Sequence, residues 1–579
     1  MYSFEVDSTI NTDLVVVGAG AAGIRSCYEA AKNGVNDIVI VSKGKILNSG
    51  SSFFSLVHGW GMQAVVPGLN NDDSKEKYYN EIIDRGLGMT DTNLVKVLVE
   101  EAYSRVKDLQ ELGLQFKERN GQLEQIIGCF SREKRALSAV DMKNIRDTFH
   151  RMLLSSKAKI FENFMVLDFI IRDKIFLGLV GITSDGRFIR INAKACILAT
   201  GGGANVYKHS LNSGESSGDT YGLALRAGLG LYNMEFIQFI FGIVFPKRLI
   251  FSERSLYYSP DILNGKGERF IERYLPPGVN YDLVLGERIV HGPFSARTVS
   301  RYFDIAIFKE IRNGDGSEHG GVMVDLRNYW DIKERDVLLN RWTDVTDVWI
   351  NWLKDEHHID ISKELLEIDH AAHAFNGGIE ADETTRSKIP NLFVCGEALA
   401  GPHGADRLGG NMMTSTQVFG TRAGYYAALE VRSFREGVLN RNGGSIFKVQ
   451  DLFPFPVSGK GERNYLELRE KLKEKMWLYG HVVRDGAGLL RLKEELEKIR
   501  ENITFLAVKD AFDIRKKYEL LNLVTLASVI TLASLERKES RGSFYREDFP
   551  NMDSIFSRKI KVFSTTEKLG VEYIDEKEN

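Results

Sequence analysis

Thr12-Asp13-Leu14-Val15-Val16-Val17-Gly18-Ala19-Gly20-Ala21-Ala22-Gly23-Ile24 is the stretch whose reading decides the fold. Asp13 to Val17 is a short apolar run ended by glycine, as expected of a buried parallel strand. Gly18, Gly20 and Gly23 have G-x-G-x-x-G spacing, and Ala21 to Ala31 carries a helical pattern. Asn33-Gly34 stops that helix, and a second strand is predicted from Asp37 to Val41. In such a unit Gly18 makes the tight turn, Gly20 lets a pyrophosphate approach the backbone, and Gly23 lets helix and strand pack closely. The phosphates then sit on the helix N-terminus, where Ala21 begins. The spacing alone is weak. The strand before it and the helix after it make it a dinucleotide-binding prediction, against a plain glycine-rich turn in an ordinary α/β unit. A ribose-binding acid is expected near the end of the second strand. Val41-Ser42-Lys43 stands there instead, so Ser42 is read as a ribose or phosphate contact.

Outward from this unit, 579 residues exceed one ordinary domain, and 43% hydrophobic content can fill large cores. A net charge of -3 gives no reason to expect nucleic acid as a partner. The four cysteines, Cys27, Cys129, Cys196 and Cys395, are scattered and form no metal or iron–sulfur spacing. Cys27, Cys196 and Cys395 lie in apolar runs and read as small core residues. No signal peptide precedes the first strand, and no uninterrupted apolar run of transmembrane length appears. A cytoplasmic chain with no direct membrane span is expected, peripheral to a membrane only through a partner.

Three later stretches read as further parts of the nucleotide site. Ser49-Gly50-Ser51-Ser52 lies in a small-residue loop, suited to a backbone lying close to a flat ligand. His58 follows in the same loop, as either a ligand contact or a structural histidine. Ala195 to Thr200 is a short apolar strand ended by Gly201-Gly202-Gly203, with Asp219 opening a predicted helix. Glu397 follows the apolar strand Asn391 to Cys395 and is placed to take a ribose hydroxyl. Gly409-Gly410-Asn411 offers backbone amides to a ring or phosphate.

Taken together, these motifs resemble the flavoprotein subunit family of succinate dehydrogenase and fumarate reductase, together with L-aspartate oxidase. The resemblance covers about Asn11 to Pro550. It rests on Gly18 to Gly23, Ser42-Lys43, Ala199-Thr200-Gly201-Gly202, Met234 to Phe239, His373 to Ile379, His403 to Asn411, and Glu539-Ser540-Arg541-Gly542. It implies an α/β fold with a Rossmann-like bipartite FAD-binding domain, an inserted α+β capping domain and a C-terminal helical domain. The expected divisions are 1–240 and 356–434 for FAD, 241–355 for the cap, 435–550 for the helices and 551–579 for an extension. It also implies hydride transfer between flavin N5 and a carboxylate-bearing alkene or alkane, with an iron–sulfur or other electron-transfer partner. His373 matches a substrate-binding histidine, and Arg407 the arginine that clamps a carboxylate. Arg297 is the best match to the proton-donating arginine, with Glu253 as its resupply, although the spacing after Gly292-Pro293 departs from the family pattern.

Two departures shape the functional expectation. Gly50 falls where the family often carries a histidine bonded to the flavin, so noncovalent FAD is expected. Ile240 stands where the family has a histidine for the substrate's other carboxylate. An isoleucine cannot pair a charge, so a monocarboxylic enoate is expected in preference to fumarate. Fumarate reductase, succinate dehydrogenase or L-aspartate oxidase proper is one alternative, and an electron-transfer flavoprotein acting on a non-enoate substrate is another.

Overall fold

The computed structural model describes residues 5–54, 56, 59–259, 261–331, 343–434, 453–455, 461, 464–566 and 568–574. His58 lies outside the described residues.

The first strand, β1 (Ser8–Val17), the helix α1 (Ala21–Lys32) and β2 (Ile38–Val41) form the predicted βαβ unit. β1 lies parallel between β2 and the strand Phe188–Leu198. Lys159–Phe161 extends the parallel set beyond β2. Besides β1, Phe188–Leu198 serves two further neighbours. Its first half pairs antiparallel with Ile175–Ile182, while Cys196–Leu198 pairs parallel with Leu392–Val394. Leu14 to Val16 are fully buried, because both faces of the sheet are covered. The carboxyl ends of four strands therefore meet at one edge, where Gly18, Ser42, Ala199 and Cys395 emerge.

The glycines at this edge are required by contact distance. Gly18 has φ +104°, and a side chain on it would stand 2.3 Å from the Ala199 carbonyl oxygen. A side chain on Gly23 would stand 1.9 Å from the Gly18 carbonyl oxygen. The same economy holds the later chain segment in place. Gly420 and Gly424 of the helix Asn411–Ser433 let it lie on α1, where side chains would meet the Ala22 and Ser26 carbonyls.

A second, antiparallel sheet forms the cap, in the order Leu249–Ile250, Ile237–Phe245, Leu366–Phe375, Val322–Val324, Ile262–Leu263. Its separate core includes Phe241, Phe303 and Trp349. Ile237–Phe245 and Leu366–Phe375 pair over nearly their whole lengths, with Ile240 opposite Ala371. Position 240/241 thus falls inside a strand, which carries the chain continuously from the nucleotide region into the cap.

Three helices, Tyr465–Tyr479, Gly486–Phe505 and Ala511–Glu536, make the C-terminal helical layer. Ala511–Glu536 is long and apolar enough to cross a membrane, with a mean hydropathy of 1.6 over its best window. Its apolar run is not uninterrupted, since Glu519, Asn522, Thr525 and Ser528 fall within it. In the fold 67% of this window is buried inside the protein, so it serves as a core helix. The terminal strands Lys559–Ser564 and Leu569–Ile574 form a hairpin beside Leu231–Tyr232.

Gly23→Ala tests the contact at the centre of this unit. The clash is with backbone, so no rotamer relieves it, and overpacking of this kind costs about 1–3 kcal/mol. A thermal midpoint several degrees below the parent is expected in a melting scan. An unchanged midpoint would show that the strand–helix contact tolerates the methyl group.

Candidate active site

The carboxyl edge of the parallel sheet opens into a cavity of about 500 Å³. The glycines and polar residues singled out for the nucleotide line it, apart from Gly23, Gly202, Gly203 and Asn411 among the described residues. Gly23 lies behind the wall, against Gly18. The Asn411 side chain instead accepts a hydrogen bond from Tyr78 Oη at 2.7 Å, which explains why it does not face the cavity.

The nucleotide half is built from backbone and small side chains. Gly20 caps α1 with no side chain of its own, Ala21 N–H donates to Ser52 Oγ at 3.2 Å, and the positive end of the helix dipole faces the cavity. A side chain on Gly20 would point into space, with Ser52 Oγ nearest at 3.7 Å. Lys43 is held by Asp219 at 2.9 Å and Glu519 at 3.3 Å, so its charge is neutralised within the wall. Glu397 accepts from the Gly202 and Phe375 amides at 3.1 and 2.9 Å. Burial raises its pKa, and no cation lies within ion-pair distance among the described residues. Gly50 has φ +73° and donates its amide to Ser213 Oγ at 2.8 Å, with open space where a side chain would stand. A helix N-terminus, a glycine cradle and a buried acid fit the phosphates and ribose of FAD. Among the described residues no group of three or more His, Cys, Asp or Glu side chains is arranged to hold a metal ion.

The other half carries the charged chemistry. Arg407 is 5% exposed. Its Nε donates to Gln238 Oε1 at 2.8 Å, and Gln238 Nε2 donates back to the Arg407 carbonyl at 3.1 Å. Nη1 is used by the Leu408 carbonyl. Nη2 has no hydrogen bond, and Arg407 no ion pair, among the described residues. Burial lowers this guanidinium to about 10, still charged at neutral pH. His373, on the strand Leu366–Phe375, also lines the cavity. Burial, and then the Arg407 charge, push it down to about 3, so it is a neutral imidazole, and its Nδ1 has no partner. A neutral donor beside a fixed cation suits a carboxylate.

Ile240, Leu211 and Ile250 give the same cavity an apolar patch. Asn212 follows Leu211 into the same wall. It is 2% exposed, and its Nδ2 has no hydrogen-bond partner. Glu253 also reaches the cavity and accepts from the Phe241 amide at 3.3 Å. Burial pushes it up to about 7, against the pull of Arg288.

Arg297 does not line this cavity. Gly292 and Pro293 form the wall, after which the chain turns away. Ala296 donates its amide to the Gly542 carbonyl at 2.7 Å. The Arg297 guanidinium then points outward, 3.8 Å from Asp84 and 25% exposed. The irregular spacing after Gly292-Pro293 was the sequence signal of this displacement. Cys129 and Asn212 were missed as site residues. Neither lies in a glycine-rich motif, and only the fold brings them to the cavity.

Residues 13–413 match the family model described as FAD binding domain, and residues 469–576 match that of the fumarate reductase flavoprotein C-term. A subunit of the fumarate reductase (CoM/CoB) of Methanothermobacter marburgensis is 31% identical over 568 residues, covering 95% of this chain and 96% of that protein. The fumarate reductase flavoprotein subunit of Escherichia coli is 26% identical, covering 93% of this chain and 89% of that protein. Among solved structures, Mycobacterium smegmatis Sdh1 in complex with UQ1 superposes with a TM-score of 0.80 at 25% identity, covering 98% of this chain and 94% of that one.

Arg407→Ala tests the anion site independently of turnover. It should weaken binding of a small dicarboxylate such as malonate at least about hundredfold, about 2.7 kcal/mol. Bound chromophore content should stay near the parental level, because the nucleotide half is untouched. Titration followed by absorbance measures both. Unchanged malonate affinity would remove Arg407 from the anion site.

Proposed function

The chain belongs to the fumarate reductase/succinate dehydrogenase flavoprotein family, and on that premise we propose that it interconverts fumarate and succinate with noncovalently bound FAD. Membership makes it an FAD-dependent oxidoreductase acting on a carboxylate-bearing alkene or alkane. The observation that carries the substrate reading is Arg407, a buried guanidinium that faces the cavity with no counter-ion among the described residues.

The relatives favour fumarate or succinate over the monocarboxylic enoate that Ile240 suggested. The cavity also supplies a reason. Ile240 removes one donor, but Asn212 Nδ2 lies unpartnered in the adjoining wall. A buried amide without a partner is costly, and a second substrate carboxylate would satisfy it. Arg407 and His373 hold the first carboxylate, the former by charge and the latter as a neutral donor. Bound FAD supplies hydride chemistry at N5. The protein orients the alkene between its two carboxylate sites and keeps water away with the apolar patch around Ile240.

Gly50 supports noncovalent attachment, because glycine has no side chain to bond to the flavin. The relatives are named as subunits, which supports an iron–sulfur or other electron-transfer partner. The burial of Ala511–Glu536 supports a catalytic subunit that reaches a membrane only through such a partner.

Acid precipitation tests the attachment. All flavin fluorescence is expected in the supernatant as FAD, and yellow precipitate would overturn noncovalent binding. Anaerobic mixing of reduced enzyme with fumarate, crotonate and cinnamate tests the substrate. Return of oxidised-flavin absorbance should be fastest with fumarate, by at least tenfold in kcat/KM. Asn212→Leu should reduce that margin by weakening fumarate alone. A monocarboxylate that outpaces fumarate in the parent would instead favour the apolar reading of Ile240.

A further inference from the structure

Gly292 and Pro293 line the cavity, and the Phe294 amide that follows donates to the Phe239 carbonyl at 2.8 Å, next to Ile240. Neither lining residue has a polar side chain to fix its own place, so this wall is set from behind. Arg288 does so. Its Nη1 donates to the His291 carbonyl at 2.6 Å and its Nη2 to the Gly292 carbonyl at 3.0 Å. Asp304, in the helix Arg301–Glu310, pairs with the same guanidinium at 2.8 and 3.2 Å.

Asp304 is shared. Its Oδ1, which accepts from Arg288 Nη2, also meets His370 Nε2 at 3.0 Å. On the far side of the ring, His370 Nδ1 stands 3.4 Å from Asp369 Oδ1. Asp369 in turn accepts the Trp477 indole N–H at 2.9 Å and stands 3.6 Å from His209 Nε2. Arg288, Asp304, Asp369 and His370 are each at most 1% exposed. Two carboxylates and one guanidinium leave this buried group one positive charge short. The imidazole between the carboxylates is the group placed to supply it. Burial disfavours the charged ring, but Asp304 and Asp369 outweigh burial and raise its pKa. The remaining titratable neighbours supply no competing cation. His481, with its ring centroid 5.6 Å away, is pushed well below the ordinary imidazole range by burial, and burial lowers His209 as well. Beyond Asp304, Arg288 faces Glu253, which burial pushes up to about 7.

We propose that His370 is a positioning residue: as an imidazolium held between Asp304 and Asp369, it fixes Arg288, and through Arg288 the Gly292–Pro293 wall against which a dicarboxylate is held. The role rests on the dicarboxylate reading above. It is electrostatic and passes no proton to the ligand. A neutral ring would leave two buried carboxylates to share one guanidinium. Arg288 would then be drawn toward both, releasing the His291 and Gly292 carbonyls that it now holds. The charge is present below the ordinary imidazole value and is lost as pH rises through the raised one.

Selective 15N-histidine labelling of the flavin-loaded chain tests the charge. At about pH 8, above the ordinary imidazole value of about 6.5, the parent should show a pair of imidazolium resonances that His370→Gln removes. Malonate binding, followed by flavin absorbance, tests the position. His370→Gln keeps a donor to Asp304 without the charge. It should weaken malonate binding about tenfold, within the range that coupling through a buried ionic network carries. His370→Lys keeps the charge without the ring, and its affinity should stay within about threefold of the parent. KM for fumarate should follow malonate affinity while kcat stays within about threefold. Flavin content should stay parental in both variants, because the nucleotide half is untouched. A neutral His370 signal in the parent overturns the proposal even if neither variant folds. So does parental malonate affinity in His370→Gln, or a His370→Lys variant that binds no better than His370→Gln. A parent that binds no malonate overturns the dicarboxylate reading, and the positioning role falls with it while the imidazolium signal stands.

Discussion

A guanidinium buried without an anion is the interaction on which the rest of this site depends. A charge removed from water is expensive unless it is paired or hydrogen-bonded. Arg407 is held by Gln238 and by the Leu408 carbonyl, which satisfy its Nε and Nη1 donors without neutralising it. A protein carboxylate there would have lowered the cost of burial and closed the site. The fold instead leaves the charge for a ligand. Burial, and then the same charge, depress His373, so the neighbouring imidazole is a neutral hydrogen-bond donor and does not compete as a second cation.

Holding that charge in place requires a rigid support, and the cap supplies one through a buried polar seam. Arg288 pairs with Asp304 through two contacts, at 2.8 and 3.2 Å. His370 Nε2 meets Asp304 at 3.0 Å, and Asp369 accepts Trp477 Nε1 at 2.9 Å. The seam joins cap helices, a cap strand and the C-terminal helical layer. Burial opposes the charged form of His370, but Asp304 and Asp369 outweigh it and raise its pKa. Arg288 also lies over the Phe241 ring, 4.6 Å from its centroid. Phe241 is next to Ile240, so the position of the apolar patch is fixed from behind by ionic contacts.

The nucleotide half of the molecule was legible in the sequence because its constraints are local. Gly18 and Gly23 are required by contacts within one strand-turn-helix, and their spacing records that directly. The substrate half was legible only in part. Arg407 and His373 lie in motifs, and both line the cavity. Cys129 comes from a loop before the strand Lys134–Ser138, and Asn212 from the turn after Leu211. Their meeting depends on long-range packing that no short motif encodes. Arg297 lies off the cavity wall for the converse reason. Its local pattern was suggestive, but a backbone hydrogen bond from Ala296 to Gly542, distant in the chain, sets where it points.

Ile240 shows why a single substitution is weak ground for substrate specificity. Loss of a histidine removes a donor at one point on a wall, but a carboxylate can accept hydrogen bonds from several directions. What decides whether a second carboxylate fits is the inventory of unpaired donors around the cavity. Asn212 Nδ2 and Arg407 are both buried and both short of partners, on walls that face the same space. Satisfying both with one ligand requires acceptors at two ends of a short molecule. A monocarboxylate could fill the apolar patch yet would leave one of these groups desolvated and unpaired, at about 1–3 kcal/mol. The dicarboxylate is the ligand that leaves neither group unpaired.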